Sequence, residues 1–63
     1  MAYLKAAAKR KTPLYTKVRT GGTCPESGIW RPEGYSETAP IAKGNRMPPY
    51  DRKAVYWVLI QYA

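Results

Sequence analysis

Cys24-Pro25-Glu26-Ser27-Gly28-Ile29-Trp30, and further on Lys43-Gly44-Asn45-Arg46-Met47-Pro48-Pro49, decide how this chain folds. Each stretch is a corner punctuated by Pro and Gly, and each sets one large apolar residue, Trp30 or Met47, beside its corner. Pro is confined to turns and sheet edges, and Gly-Asn is a turn signal, so the pair frames a compact β structure. Neither corner carries the histidine, paired carboxylates or activated nucleophile of a catalytic centre.

Working outward, Ile29-Trp30-Arg31 reads as a short strand stopped by Pro32 and Gly34, and Ser36 to Ala42 holds another that is broken near Pro40. Ahead of the first corner, Leu14 to Thr20 alternates with period two, Leu14, Thr16 and Val18 on one side and Tyr15, Lys17 and Arg19 on the other. Gly21-Gly22 ends it. After the second corner, Ala54 to Tyr62 is mainly apolar on both of its faces (Val55, Trp57, Leu59, Gln61 and Tyr56, Val58, Ile60, Tyr62), which predicts a central strand or one whose second face meets a partner. The fold class is therefore all-β: a small SH3-like barrel or a strongly bent antiparallel sheet of four or five short strands. Residues 14–63 form the single β domain. Residues 1–13 form a basic N-terminal arm, rich in Ala, Leu, Lys and Arg, flexible or briefly helical, and ended by Thr12-Pro13.

Length and composition restrict what such a domain can do. A chain of 63 residues buries only about 60% of its unfolded surface. With a single cysteine it has no internal disulfide, and with no histidine it has almost no ligands for a protein-only zinc site, so neither metal nor cofactor is expected. Stability has to come from packing or association. All eight aromatic residues are Tyr or Trp, types suited to small cores and wet interfaces alike. The net charge is +7, and six of the eleven basic residues (Lys5, Lys9, Arg10, Lys11, Lys17, Arg19) precede the first acid, Glu26. No stretch has the apolar core of a secretory signal or the roughly 18 apolar residues of a membrane helix, so a cytoplasmic protein without a membrane span is the expectation.

Cys24-Pro25-x-Ser27-Gly28-x-Trp30, the later Gly44-x-x-Met47-Pro48-Pro49 and the late Trp57 together resemble a module found in bacterial competition loci. It is similar to the C-terminal portion of immunity proteins linked to type VI secretion and other polymorphic toxins, over about residues 18–58. The resemblance implies protein binding, since an immunity protein blocks its toxin by occupying the active site or a nearby surface. Members of that family are larger and carry the module as an appendage, which leaves a different task open here. It also assigns Cys24, Pro25, Ser27, Gly28, Trp30, Gly44, Met47, Pro48 and Trp57 to the framework.

The residues read alone agree with a structural role at these positions. Cys24 lacks a histidine to activate it and reads as a buried thiol. Ser27-Gly28 reads as a turn, and Trp30 and Trp57 as core residues facing each other. Glu26, Glu33, Glu37 and Asp51 are the only carboxylates. The expectation is a non-catalytic protein-binding module, an immunity-like or accessory factor whose partner is an acidic toxin or a secretion-system component. Its contacts are assigned to Lys9, Arg10, Lys11, Tyr15, Lys17 and Arg19, with Tyr56 and Tyr62 as an apolar anchor. Two alternatives stand beside it. A basic, Tyr-bearing β face is one way to hold single-stranded nucleic acid, and pairing through the C-terminal strand would build a homo-oligomer.

Overall fold

The computed structural model describes residues 12–63; the arm residues Lys9, Arg10 and Lys11 lie outside the described residues. Four strands, β1 (Lys17–Arg19), β2 (Gly28–Pro32), β3 (Ala39–Ile41) and β4 (Tyr56–Tyr62), form one antiparallel sheet in the order β1-β4-β2-β3. The sheet is open and not closed into a barrel: β1 and β3, three residues each, end up at opposite edges. Among the described residues there is no helix, hence none long and apolar enough to cross a membrane.

β4 is central, as its apolar composition predicts, with β1 on one side and β2 on the other. Trp57 and Val58 are paired on both sides, whereas the register with β1 ends at Val58 and that with β2 runs on to Tyr62. Pro40 sits in β3 opposite Ile29, on an edge strand, the one place in a sheet where a missing N–H is readily tolerated. Proline there also blunts the edge against further strand addition.

The two corners meet. Gly22 and Met47 are joined by Met47 N–H to the Gly22 carbonyl (2.7 Å), Cys24 N–H bonds the Asn45 carbonyl (2.7 Å), and Thr23 and Arg46 form a bridge between them. Gly28 then pairs with Ile41 and Trp30 with Ala39. The residue numbers of each pair fall in one continuous antiparallel register. The chain from Gly21 to Met47 is thus one long hairpin-like excursion, and the two motif halves are its facing sides. Cys24, Trp30, Ile41, Met47, Trp57 and Leu59 form the core, with Val18, Ala39, Tyr50, Val55 and Tyr62 packed around it. Polar groups of the motif are satisfied locally, as buried groups must be. Trp30 Nε1–H donates to the Glu26 carbonyl (3.1 Å), Trp57 Nε1–H to the Pro48 carbonyl (2.7 Å), and Lys43 N–H to Ser27 Oγ (2.8 Å). The Cys24 thiol donates to the Glu26 carbonyl at 3.2 Å. It is buried, in keeping with a packing role.

Two expectations need correction. Leu14 to Thr20 is not one strand: Tyr15 adopts a left-handed backbone (φ 69), and Thr16 N–H and Oγ1–H both turn back to the Pro13 carbonyl. The proline pins a turn at that point, and regular pairing with β4 begins only at Lys17. The second correction concerns Tyr62. Ile29 pairs with Gln61 but Trp30 with Leu59, so Ile60 is an extra residue, a β-bulge. One extra residue reverses the in/out parity of the strand beyond it. Leu59 and Tyr62, three apart, therefore both lie toward the core, and Tyr62 donates its hydroxyl to the Thr12 carbonyl (2.7 Å).

Between the second corner and β4, Tyr50 and Lys53 exchange both backbone hydrogen bonds (2.9 Å each) across a two-residue turn whose central residues, Asp51 (φ 53) and Arg52 (φ 64), are left-handed. That is the type I′ pattern, for which Asn-Gly is the favoured pair because each non-glycine residue in this region costs about 1–2 kcal/mol. Arg52→Gly is expected to stabilise the chain by about 0.5–1 kcal/mol after the added entropy of the unfolded glycine. The check is a rise in Tm of a few degrees.

Tyr50, held by this turn, packs against Tyr35 (ring centroids 4.6 Å) and edge-on to Trp57 (6.3 Å), and its hydroxyl donates to Glu37. The hydrogen bond to the Glu37 carboxylate, followed by desolvation and by the charges of Glu37 and Asp51, pushes the phenol up from 10.0 to about 12. A raised folded-state value means that this stabilisation is present below pH 10 and is lost as pH rises through about 12. A tyrosinate absorbance titration should show a step near pH 12 that is absent from Tyr50→Phe.

A basic face as candidate interface

The face of the sheet away from the core carries the cations. Direct pairing puts Lys17 opposite Val58 and Arg19 opposite Tyr56 on one side of β4, and Arg31 opposite Val58 on the other. Opposed residues share a face, so Lys17, Arg19, Arg31, Tyr56 and Val58 stand together. Val58 is buried between its cross-strand neighbours although it lies outside the core cluster. Long basic side chains commonly cover apolar surface with their stems while their heads stay in water. Ile29, half-buried on the same side of β2, extends the apolar centre.

Geometry on this face is partly set. The Arg19 guanidinium lies over the Tyr56 ring, 5.2 Å from its centroid, within the range of a cation–π contact. Lys17 pairs with Glu33 across β4, both side chains about half exposed (52% and 50%). An exposed pair of this kind contributes at most about 1 kcal/mol and is screened by salt. It offsets one cation and leaves Arg19 and Arg31 as the net positive groups of the sheet face. Tyr56 remains 45% exposed.

Of the residues assigned from the sequence to partner contact, the structure unites Lys17, Arg19 and Tyr56. Tyr15 is exposed (67%) but sits in the turn before β1, off the strand alternation. Tyr62 is turned to the core side by the bulge. Arg31 was missed, yet its signal was available: if Trp30 points into the core, its strand neighbour points out.

The Cys24 thiol is buried, and among the described residues no group of three His, Cys, Asp or Glu side chains could hold a metal ion. A comparison with protein-family models, with curated proteins and with solved structures found no match to this chain.

Proposed function

We propose that this protein is a small non-catalytic binding module that engages an acidic surface of another protein through Lys17, Arg19, Arg31 and Tyr56. The carrying observation is the arrangement of that face: an apolar centre at Val58 and Ile29, a partly exposed Tyr56 oriented by Arg19, and a cationic rim. An apolar centre within a polar rim, with Tyr and Arg prominent, is the make-up of protein interfaces. The sequence resemblance extends this reading to a module that acts in the cytoplasm as an immunity-like or accessory factor of a bacterial toxin or secretion system. Lys9, Arg10 and Lys11 add to its positive charge, and a net charge of +7 speeds encounter with an acidic partner.

A second reading, binding of single-stranded nucleic acid, is favoured by the Arg19–Tyr56 pair, since a ring beside a guanidinium can stack a base. It is the weaker reading because Tyr56 is the one aromatic ring on this face among the described residues, and strand binders present successive rings.

The two are separated by affinity capture from native extract, with and without nuclease, washed in rising salt and run beside Arg19→Glu/Arg31→Glu. Expected is a discrete protein retained after nuclease treatment, with affinity for the doubly reversed variant reduced at least tenfold. Material lost on nuclease treatment, with a steep dependence on salt, would establish the nucleic-acid reading instead. Equal capture by both variants would remove this face from the function.

A further inference from the structure

A concave region lies on the core-facing side of the sheet, opposite the basic face. It is an open cleft of about 430 Å³ at the end of β2, lined by Pro32, Glu37, Ala39, Tyr50 and Trp57 among others. Tyr35 packs at a tilt against Tyr50, which lines the cleft. We propose that this cleft binds the cationic side chain of a lysine in an extended segment of a partner protein.

Three observations carry this. The lining includes Pro32, the half-buried ring of Tyr50 and, beneath it, the buried Trp57, and the face of a tyrosine ring carries negative quadrupole charge that attracts an ammonium group. A carboxylate, Glu37, lies in the same wall, exposed and held in place by the Tyr50 hydroxyl. In a chain of net charge +7 it makes this cleft complementary to a cation, whereas the sheet face complements an anion. Finally, the ring that builds the wall is held at a backbone cost: Tyr50 enters a two-residue turn with two non-glycine residues left-handed. Conformations of that kind persist where the surrounding structure over-determines them, and they cluster at ligand-binding positions.

Other functional groups in the cleft are already committed. The Trp57 indole N–H is given to the Pro48 carbonyl and the Tyr50 hydroxyl to Glu37. Neither is free to donate to the carbonyls of a polyproline ligand, which argues for a charge-seeking occupant over a proline-rich one. An extended segment suits the cleft's open mouth beside β3, which it would cross with its lysine directed at Glu37 and without pairing to the edge that Pro40 blunts.

The test uses the full chain and NMR titration, read at the Trp57 indole N–H and the Ala39 amide, with the Trp30 indole N–H as internal control because that ring is fully buried. The probes are acetyl-Ala-Lys-Ala-amide, the same peptide with norleucine in place of lysine, and tetramethylammonium. Expected are saturable shifts at Trp57 and Ala39 with the lysine peptide, none at Trp30, and about tenfold weaker binding of the norleucine peptide. Glu37→Gln, which keeps an oxygen for the Tyr50 hydroxyl, should weaken the lysine peptide to a similar degree with signal dispersion intact. Equal binding of lysine and norleucine peptides, or no shift with either, would overturn the proposal. So would tetramethylammonium binding as tightly as the lysine peptide, which would make the ligand a free organic cation. Arg19→Glu/Arg31→Glu should leave this titration unchanged, so the cleft and the basic face stand or fall separately.

Discussion

Trp30→Ala is expected to leave the chain unfolded at room temperature. The ring is fully buried at the centre of the core, between Cys24 and Met47 from the two corners and Leu59 from β4. Its truncation costs about 3–5 kcal/mol through lost burial and the cavity left behind. A single core in a chain of this size supplies no more than about that amount in total, so the deletion and the whole stability are of the same size. The Glu26 carbonyl also loses the indole N–H at 3.1 Å. Collapse of NMR dispersion would bear this out. A folded Trp30→Ala protein that no longer binds its partner would instead make Trp30 a contact residue and overturn its assignment to the framework.

Gly28→Ala should have nearly as large an effect, for the opposite reason. A Cβ at Gly28 would lie 2.3 Å from the Gln61 backbone oxygen and 2.9 Å from Leu59 Cδ1. Leu59 could rotate, but Gln61 belongs to β4, which is bonded to β2 and β1 on its two sides. Moving it strains the pairing of the whole sheet. Overpacking costs typically about 1–3 kcal/mol, and a backbone obstacle places this site at or beyond the upper end. Denaturant unfolding is the measurement, with Ser36→Ala, an exposed loop position, as control. A Gly28→Ala chain as stable as the control would show that β4 can shift freely at the bulge.

Much of this architecture was legible in the residues. The large apolar side chains beside the corners, Trp30 and Met47, are core, and so are Cys24 and Trp57. The double-faced apolar strand is central. These inferences hold because burial and turn geometry act locally: proline and glycine restrict the backbone wherever they stand, and a large apolar residue seeks cover in any fold. The candidate interface was only half legible. Alternation and charge point to Lys17 and Arg19, and alternation beside Trp30 turns Arg31 outward, but that Arg31 shares one face with them is set by its pairing with Val58 across β4.

Tyr62 marks the boundary most clearly. In sequence it shares a parity with Tyr56 and Val58 and so belongs to the outer face; in the sheet the extra residue Ile60 hands it to the core. Period-two alternation is a property of one strand, whereas a bulge is defined by a mismatch between two strands, so it appears only when they pair. The composition of the chain by itself determined an all-β domain with a Trp- and Met-centred core, because those preferences act residue by residue. Only the tertiary structure decided that β4 lies between β1 and β2, that the two corners face each other, and that Lys17, Arg19 and Arg31 gather around one tyrosine. Each of these depends on contacts between residues far apart in the chain, whose pairing is selected by the packing of the whole sheet.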